Sequence, residues 1–116
     1  MNSLIEKIFA DFTVNNKSIP VSFLRYEGKK ETYITYQSID NSGALSADDE
    51  IIGYIDYYDF DIYSKSNYFE IVKEVKKKLK ANGFIWQPSM SSEDMYEDDT
   101  KYYHKTLCFA IERMEE

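Results

Sequence analysis

Apolar and polar residues repeat with two different periods along this chain, and each change of period marks a predicted element. From residue 51 to 64 the period is two, which is typical of a β-strand with one buried face. The same stretch is crowded with rings and carboxylates, and the period separates them. One face carries Tyr58, Phe60 and Ile62, and the other carries Asp59, Asp61 and Tyr63.

Two stretches have the 3.6-residue period of an amphipathic helix. The first covers residues 3–12. The second covers 67–81, with Ser66 or Asn67 as its cap and Gly83 in the position of a left-handed end. The apolar stripes consist of Leu4, Ile5, Ile8, Phe9 and Phe12 in the first, and of Tyr68, Ile71, Val72, Val75 and Leu79 in the second.

The remaining β-branched and aromatic runs predict shorter strands, separated by polar loops. The last strand has two distinct faces, with Leu107, Phe109 and Ile111 on one and His104, Thr106 and Cys108 on the other. Strands are predicted at 21–26, 32–39, about four residues from Phe84, and 101–113; loops are predicted at 13–20, 40–50 and 89–100.

The resulting order of elements is α, β, β, β, α, β, β. Strands joined as hairpins and covered by helices on one face indicate an α+β fold. We therefore expect one domain over residues 1–116, with a mostly antiparallel sheet of four or five strands packed by two helices.

Composition agrees with a globular domain, because 116 residues with 43% hydrophobic content can bury a core without a disulfide or a metal. The eleven tyrosines are suited to half-buried sheet faces and protein contacts. A single cysteine, Cys108, excludes an internal disulfide and is typical of a reducing compartment. No apolar run is long enough to cross a membrane, and the first twelve residues do not resemble a signal peptide.

The net charge of −7 is unevenly distributed. Residues 65–80 carry six lysines against Glu70 and Glu74, a balance of +4, which leaves −11 for the rest of the chain. An acidic protein binds DNA poorly without a specific site, because the phosphates are repelled. The lysines are interpreted first as a solvated helix face.

The residues that could carry chemistry do not form a catalytic pattern. Asp59 and Asp61 share a strand face, but Asp56 lies on the opposite one, so the three carboxylates do not converge on a cation. His104 and Cys108 share a face with α-carbons roughly 13 Å apart on an extended strand. The acidic loops contain nothing that would bury a carboxylate pair. We therefore predict no catalytic, metal or cofactor site, and a protein that is not an enzyme.

Four segments together resemble a known family: "ETYITYQSIDNSGALSADDE", "YIDYYDFDIYSKSNY", "LKANGF" and "EDMYEDDTKYYHKTLCFAIE". The family is that of the tail completion or tail terminator proteins, also described as minor tail or head–tail joining proteins, of tailed phages and prophages of Gram-positive bacteria. The resemblance covers roughly residues 4 to 113. Its most specific parts are "TYITYQ", the strand-to-helix join at 61–67, and "YEDDTKYYHK".

The resemblance implies a structural role in virion assembly. Such proteins are similar to terminators that form a hexameric ring on the head-proximal end of the tail tube, after synthesis in the host cytoplasm. The ring stops tube polymerisation and provides the docking surface for the head connector or stopper protein. The implied partners are the chain itself, the tube protein and the connector, with no membrane and no cofactor. DNA is implied only as cargo that passes through the channel.

A ring subunit needs two different complementary patches, and opposite charges could supply them. The lysine-rich helix would meet the acidic loops 41–50 and 91–99. The alternative is a small acidic phage or host protein that acts as a DNA mimic or inhibits a nucleic-acid enzyme. The candidate contact residues are Lys73, Lys76, Lys77, Lys80, Asp48, Asp49, Glu50, Tyr57, Asp59, Asp61, Tyr63, Asp94, Glu97, Asp98 and Asp99.

Overall fold

A computed structural model describes residues 2–39, 43–47 and 50–114 of the chain, and these contain two α-helices and nine β-strands. A short 3₁₀ turn, Pro88–Met90, lies between the seventh and eighth strands. In chain order the elements are α1 (Asn2–Ile8), β1 (Thr13–Val14), β2 (Lys17–Ser18), β3 (Val21–Phe23), β4 (Tyr33–Ser38), β5 (Gly43–Ala47), β6 (Glu50–Ser64), α2 (Phe69–Ala81), β7 (Ile85–Trp86), β8 (Met95–Glu97) and β9 (Tyr102–Met114).

Seven of these strands form one sheet, whose main path runs β3–β4–β6–β9–β7. β5 pairs with the first part of β6, and β8 pairs with the start of β9. All pairs are antiparallel except β3 with β4. The prediction of an α+β fold with a mostly antiparallel sheet and two helices is therefore confirmed, and β5 and β8 extend its five-stranded path.

The core lies between the two helices and one face of the sheet. Phe60 is fully buried, and its ring contacts those of Phe9, Tyr36, Phe84 and Phe109 at centroid distances of 5.8–6.4 Å. The predicted apolar stripe of α2 is confirmed, because all of its members are buried: Tyr68, Ile71, Val72, Val75 and Leu79.

Strand β6 is much longer than the helices that cover the sheet. Its 15 residues span about 50 Å, whereas the 13 residues of α2 span about 20 Å. The molecule is accordingly elongated, with extents of 51 × 28 × 23 Å. The described core residues of β6 fall within 58–62, so its first half continues past the core. We call β5, residues 50–55 of β6 and residues 112–114 of β9 the arm.

Two predicted loops were wrong in part, because each contains a strand. Gly43–Ala47 of the predicted loop 40–50 pairs with β6, with a register shift between Leu45 and Ser46. Met95–Glu97 of the predicted loop 89–100 pairs with β9. Both segments lack a long apolar run, and the backbone hydrogen bonds of a long neighbouring strand hold them in place.

The predicted loop at 13–20 also contains a hairpin, β1–β2, closed by Asn15 and Asn16. Both asparagines have positive φ, 53° and 66°, as a tight two-residue hairpin turn requires. Asparagine tolerates this conformation better than other residues with a β-carbon. The Asn–Asn pair was the signal that could have predicted the hairpin.

The ends of three elements differ from the prediction. α1 stops at Ile8, although Phe9 and Phe12 remain buried beyond its end. β3 stops at Phe23 and runs parallel to β4, so residues 24–32 are not the tight turn of a hairpin. α2 begins at Phe69, whose amide donates to Asn67 Oδ1, and Gly83 has the expected positive φ of 89°.

No described helix combines the length and apolar character needed to span a bilayer.

Candidate interaction surfaces

The face of the sheet away from the helices carries a hydrogen-bonded cluster centred on Asp61. The Thr106 hydroxyl donates to Asp61 Oδ1 at 2.6 Å, and His104 Nε2 lies 3.0 Å from the same oxygen. The side chains of His104 and Asp61 are only 16% and 17% exposed. Because the Thr106 proton is directed to Asp61, the hydroxyl is not positioned to give its proton to the imidazole.

A second cluster on the same face joins Asp59 and Cys108, which are paired residues of β6 and β9. Burial, reinforced by the Asp59 carboxylate, raises the pKa of the Cys108 thiol to about 11. The sulfur is therefore protonated at neutral pH, and a thiol is a poor nucleophile compared with a thiolate. His104 shares this face with Cys108, as predicted, but its nearest polar partner is Asp61.

Asp59 itself is held in an unfavourable environment for a carboxylate. Burial raises its pKa, the neighbouring Asp61 raises it further, and a hydrogen bond from Cys108 opposes the change. Its Oδ1 has no hydrogen-bond partner among the described residues. The folded chain therefore binds the Asp59 proton more tightly than the unfolded chain does.

We expect Asp59→Asn to stabilise the protein at neutral pH. Since the folded pKa is raised, ionisation of Asp59 destabilises the fold as the pH rises through and above the ordinary value of 3.8. The variant should therefore equal the wild type near about pH 3 and exceed it from about pH 6 upwards. Urea unfolding between these pH values measures the difference. Asp99→Asn, at an exposed turn, is the control, and equal effects of the two substitutions would contradict the prediction.

Stacked rings cross the same face of the sheet beside these clusters. Tyr33 lies between Tyr26 and Tyr63, with centroids 4.7 and 5.0 Å away, and Tyr63 lies between Tyr33 and His104, the latter at 4.2 Å. Burial and the charge of Asp61 raise the pKa of Tyr63 to about 12. Both faces of Tyr33 and Tyr63 are thus covered by other rings of the chain, so these two rings stabilise the sheet and neither is an open stacking platform.

The lysines of α2 occupy two environments. Lys76 lies 3.5 Å above the Trp86 ring and Lys80 lies 5.8 Å from it, which are cation–π contacts. Burial lowers the pKa of Lys76, and Lys105 and Lys80 lower it further. Lys73 and Lys77 are exposed. The six-lysine segment is therefore not one uniform solvated face.

The acidic segment before β9 also divides into two parts. Asp94 is engaged: it accepts a hydrogen bond from the Tyr68 hydroxyl at 2.5 Å and lies 3.3 Å from Lys105 Nζ, and both contacts hold the pKa of Asp94 below its ordinary value. Asp98 and Asp99, in contrast, are exposed at the tip of the β8–β9 turn.

The backbone of the β8–β9 turn is well defined. The Lys101 amide donates to the Glu97 carbonyl at 2.8 Å, and the Thr100 hydroxyl donates to Glu97 Oε1 at 3.0 Å. Lys101 has a positive φ of 65°, which closes the turn. These contacts hold the backbone of the turn, and the two aspartates at its tip are exposed.

Exposed rings surround the beginning of α2. Phe69 is 66% exposed, Tyr96 is 48% exposed and Tyr103 is 41% exposed. The Tyr68 ring contacts those of Phe69 and Tyr103, and Tyr103 in turn contacts Tyr96. A cavity of about 350 Å³ lies beside Phe69 and Tyr103, and a groove of about 890 Å³ lies between Phe69 and the β1–β2 hairpin. Exposed aromatic rings grouped beside a groove are candidates for a contact with a partner.

The structure groups some of the predicted contact residues and separates others. Asp59, Asp61 and Tyr63 lie together on the face of the sheet away from the helices, which we call the second face, and all three are half-buried. Tyr57 is half-buried on the same strand. Asp48 and Asp49 lie outside the described residues, and so does the side chain of Glu50. Within the described part of the chain, no three acidic, histidine or cysteine side chains form a metal site.

Residues that the sequence did not indicate also contribute to these surfaces. Trp86 supports the lysines, and Tyr26 extends the ring stack. Ser91 and Ser92 complete the edge of β9, because their hydroxyls accept hydrogen bonds from the amides of Cys108 and Thr106 at 2.9 and 2.8 Å. The paired serines between two strands of one sheet are the only sequence signal of this last feature.

The chain matches no protein-family model and no curated protein sequence.

Proposed function

We propose that this chain is a structural subunit of a phage tail, which caps the head-proximal end of the tail tube and offers the docking surface for the head connector. The biological setting of the proposal rests on the sequence resemblance described above. The structural observation that supports it is the arm, a long extension of the sheet beyond the helices that carry the core.

The arm has the properties of a surface that pairs with another chain. Its outer strand β5, Gly43–Ala47, is paired with β6, and no described strand lies on its other side. Its five residues include no charge and no proline, although 30% of the chain is charged. Edge strands of isolated domains are usually protected by such residues, so an unprotected edge favours pairing with a neighbour.

A cap on a polymer must bind the last tube ring more tightly than another tube subunit does. The arm extends away from the helices, so the arm and the rest of the surface can contact different partners. These partners are a neighbour in the ring, the tube below and the connector above. In this role, each subunit contacts the next through two different surfaces, and a fixed rotation between subunits closes the ring.

Deletion of the gene from its phage or prophage tests the proposal. Without the cap, polymerisation continues and the head has no docking surface, so we expect overlong or unjoined tails beside filled, tailless heads. Negative-stain electron microscopy measures tail length and joining. Complementation with the intact gene should restore normal particles, which separates this effect from disruption of neighbouring genes.

Normal-length tails joined to heads in the deletion strain would overturn the proposal and favour the acidic inhibitor or DNA mimic instead. An obligate closed dimer with twofold symmetry, both free and on tails, would also contradict a ring. Mass photometry of the free protein and images of purified tails distinguish these states.

A further inference from the structure

The stripe Lys73, Lys76 and Lys80 on α2, together with the Trp86 ring, forms a basic patch without internal charge compensation. The three lysines are spaced by three and four residues and so share one face of the helix. Among the described residues none of them forms an ion pair, and the nearby Lys105 is already paired with Asp94. The like charges oppose one another, so the patch favours a negatively charged partner.

The same chain presents an exposed acidic turn, and no ion pair among the described residues joins this turn to the patch. Asp98 and Asp99 lie in the β8–β9 turn, next to Tyr102 at the start of β9, whereas Trp86 pairs with Phe109. Phe109 lies seven residue steps along the extended strand from Tyr102, which is roughly 23 Å between their α-carbons. The two surfaces therefore remain unpaired with each other within one molecule.

We infer that the basic patch of one copy, through Lys76 and Lys80, binds the Asp98–Asp99 turn of a second copy. Outside residues 65–80 the chain has a charge of −11, so copies repel one another over most of their surfaces. Contact is attractive where the basic patch of one copy meets an exposed acidic segment of the other. Because the patch and the turn are different surfaces, the contact is heterologous and suits a ring. Only this last point rests on the proposed function.

Trp86 makes the contact observable, because it is the only tryptophan of the chain and lies directly beneath Lys76. We expect its fluorescence to change with protein concentration at low salt. A zero-length carbodiimide cross-link joins an amine to a carboxylate that it touches. In a mixture of ¹⁵N-labelled and unlabelled protein, mass spectrometry should find mixed-isotope peptides that link Lys76 or Lys80 to Asp98 or Asp99.

Charge reversal provides the decisive comparison. Lys76→Glu/Lys80→Glu and Asp98→Lys/Asp99→Lys should each weaken self-association about 2- to 30-fold, the combined effect of two partly exposed charge pairs. The quadruple variant should recover most of the affinity. Lys17→Glu/Lys29→Glu changes the net charge by the same amount as Lys76→Glu/Lys80→Glu, at exposed positions elsewhere, and should leave the cross-link in place.

Loss of folding in the first variant is checked by circular dichroism, and Lys76→Gln/Lys80→Gln replaces it if needed. Absence of mixed-isotope cross-links at millimolar concentration, or cross-links at other residues, would overturn the inference. So would binding of a DNA duplex to the patch in preference to a second copy. These experiments use the purified protein, so their failure leaves the tail-deletion result untouched, and failure of the deletion test leaves the contact untouched.

Discussion

Val75→Asp should destabilise the folded chain by about 3–5 kcal/mol, because it places an unpaired carboxylate in the core. Val75 is fully buried on α2, in a cluster with Ile71 and Leu79. A domain of this size has a total stability of about 5–15 kcal/mol, so the variant should be largely unfolded at moderate urea concentrations. Equilibrium unfolding followed by circular dichroism measures the loss.

Lys77→Asp is the matched control, since it introduces the same carboxylate two residues along the same helix at an exposed position. Its cost should remain below about 1 kcal/mol, as is usual for surface substitutions. If the two variants were equally stable, α2 would not be packed on the sheet as the structure shows.

Phe60→Ala should cost about 3–5 kcal/mol, because it removes the ring at the centre of the core. Phe60 is fully buried, and it contacts rings from β4, from β9 and from the segments that follow α1 and α2. The cavity that remains lies between elements that are distant in sequence, so they can close around it only in part. Unfolding in urea gives the loss of stability.

Tyr57→Ala is the control for this truncation, because Tyr57 is an aromatic residue of the same strand that is only half-buried. Its cost should be clearly smaller than that of Phe60→Ala. A larger cost for Tyr57 would mean that the second face of the sheet, and not the face under the helices, holds the main core.

The period of the apolar residues was sufficient to predict the main elements, because each buried face follows from geometry within one element. The alternation in β6 and β9 identified which side chains enter the core, and the 3.6-residue period did so for α2. These predictions needed no knowledge of neighbours, since a strand or helix with one apolar side buries that side in any compact arrangement.

Pairing between distant strands could not be predicted from the period of the apolar residues. β5 and β8 are only five and three residues long, too short to show a period, and each becomes a strand because the long β6 or β9 beside it offers free backbone groups. The parallel pairing of β3 and β4 depends on the path of residues 24–32, which has no periodic signal.

The candidate surfaces show the same division. The sequence alone determined that lysines concentrate in one helix and carboxylates in two other segments, because charge is a property of composition. Only the tertiary structure decided that Lys76 and Lys80 share Trp86, that Asp94 is held by Tyr68 and Lys105, and that Asp98 and Asp99 remain exposed. The physical reason is that a charged side chain is free or engaged according to which groups the fold brings within a few ångströms of it, and those groups come from other parts of the chain.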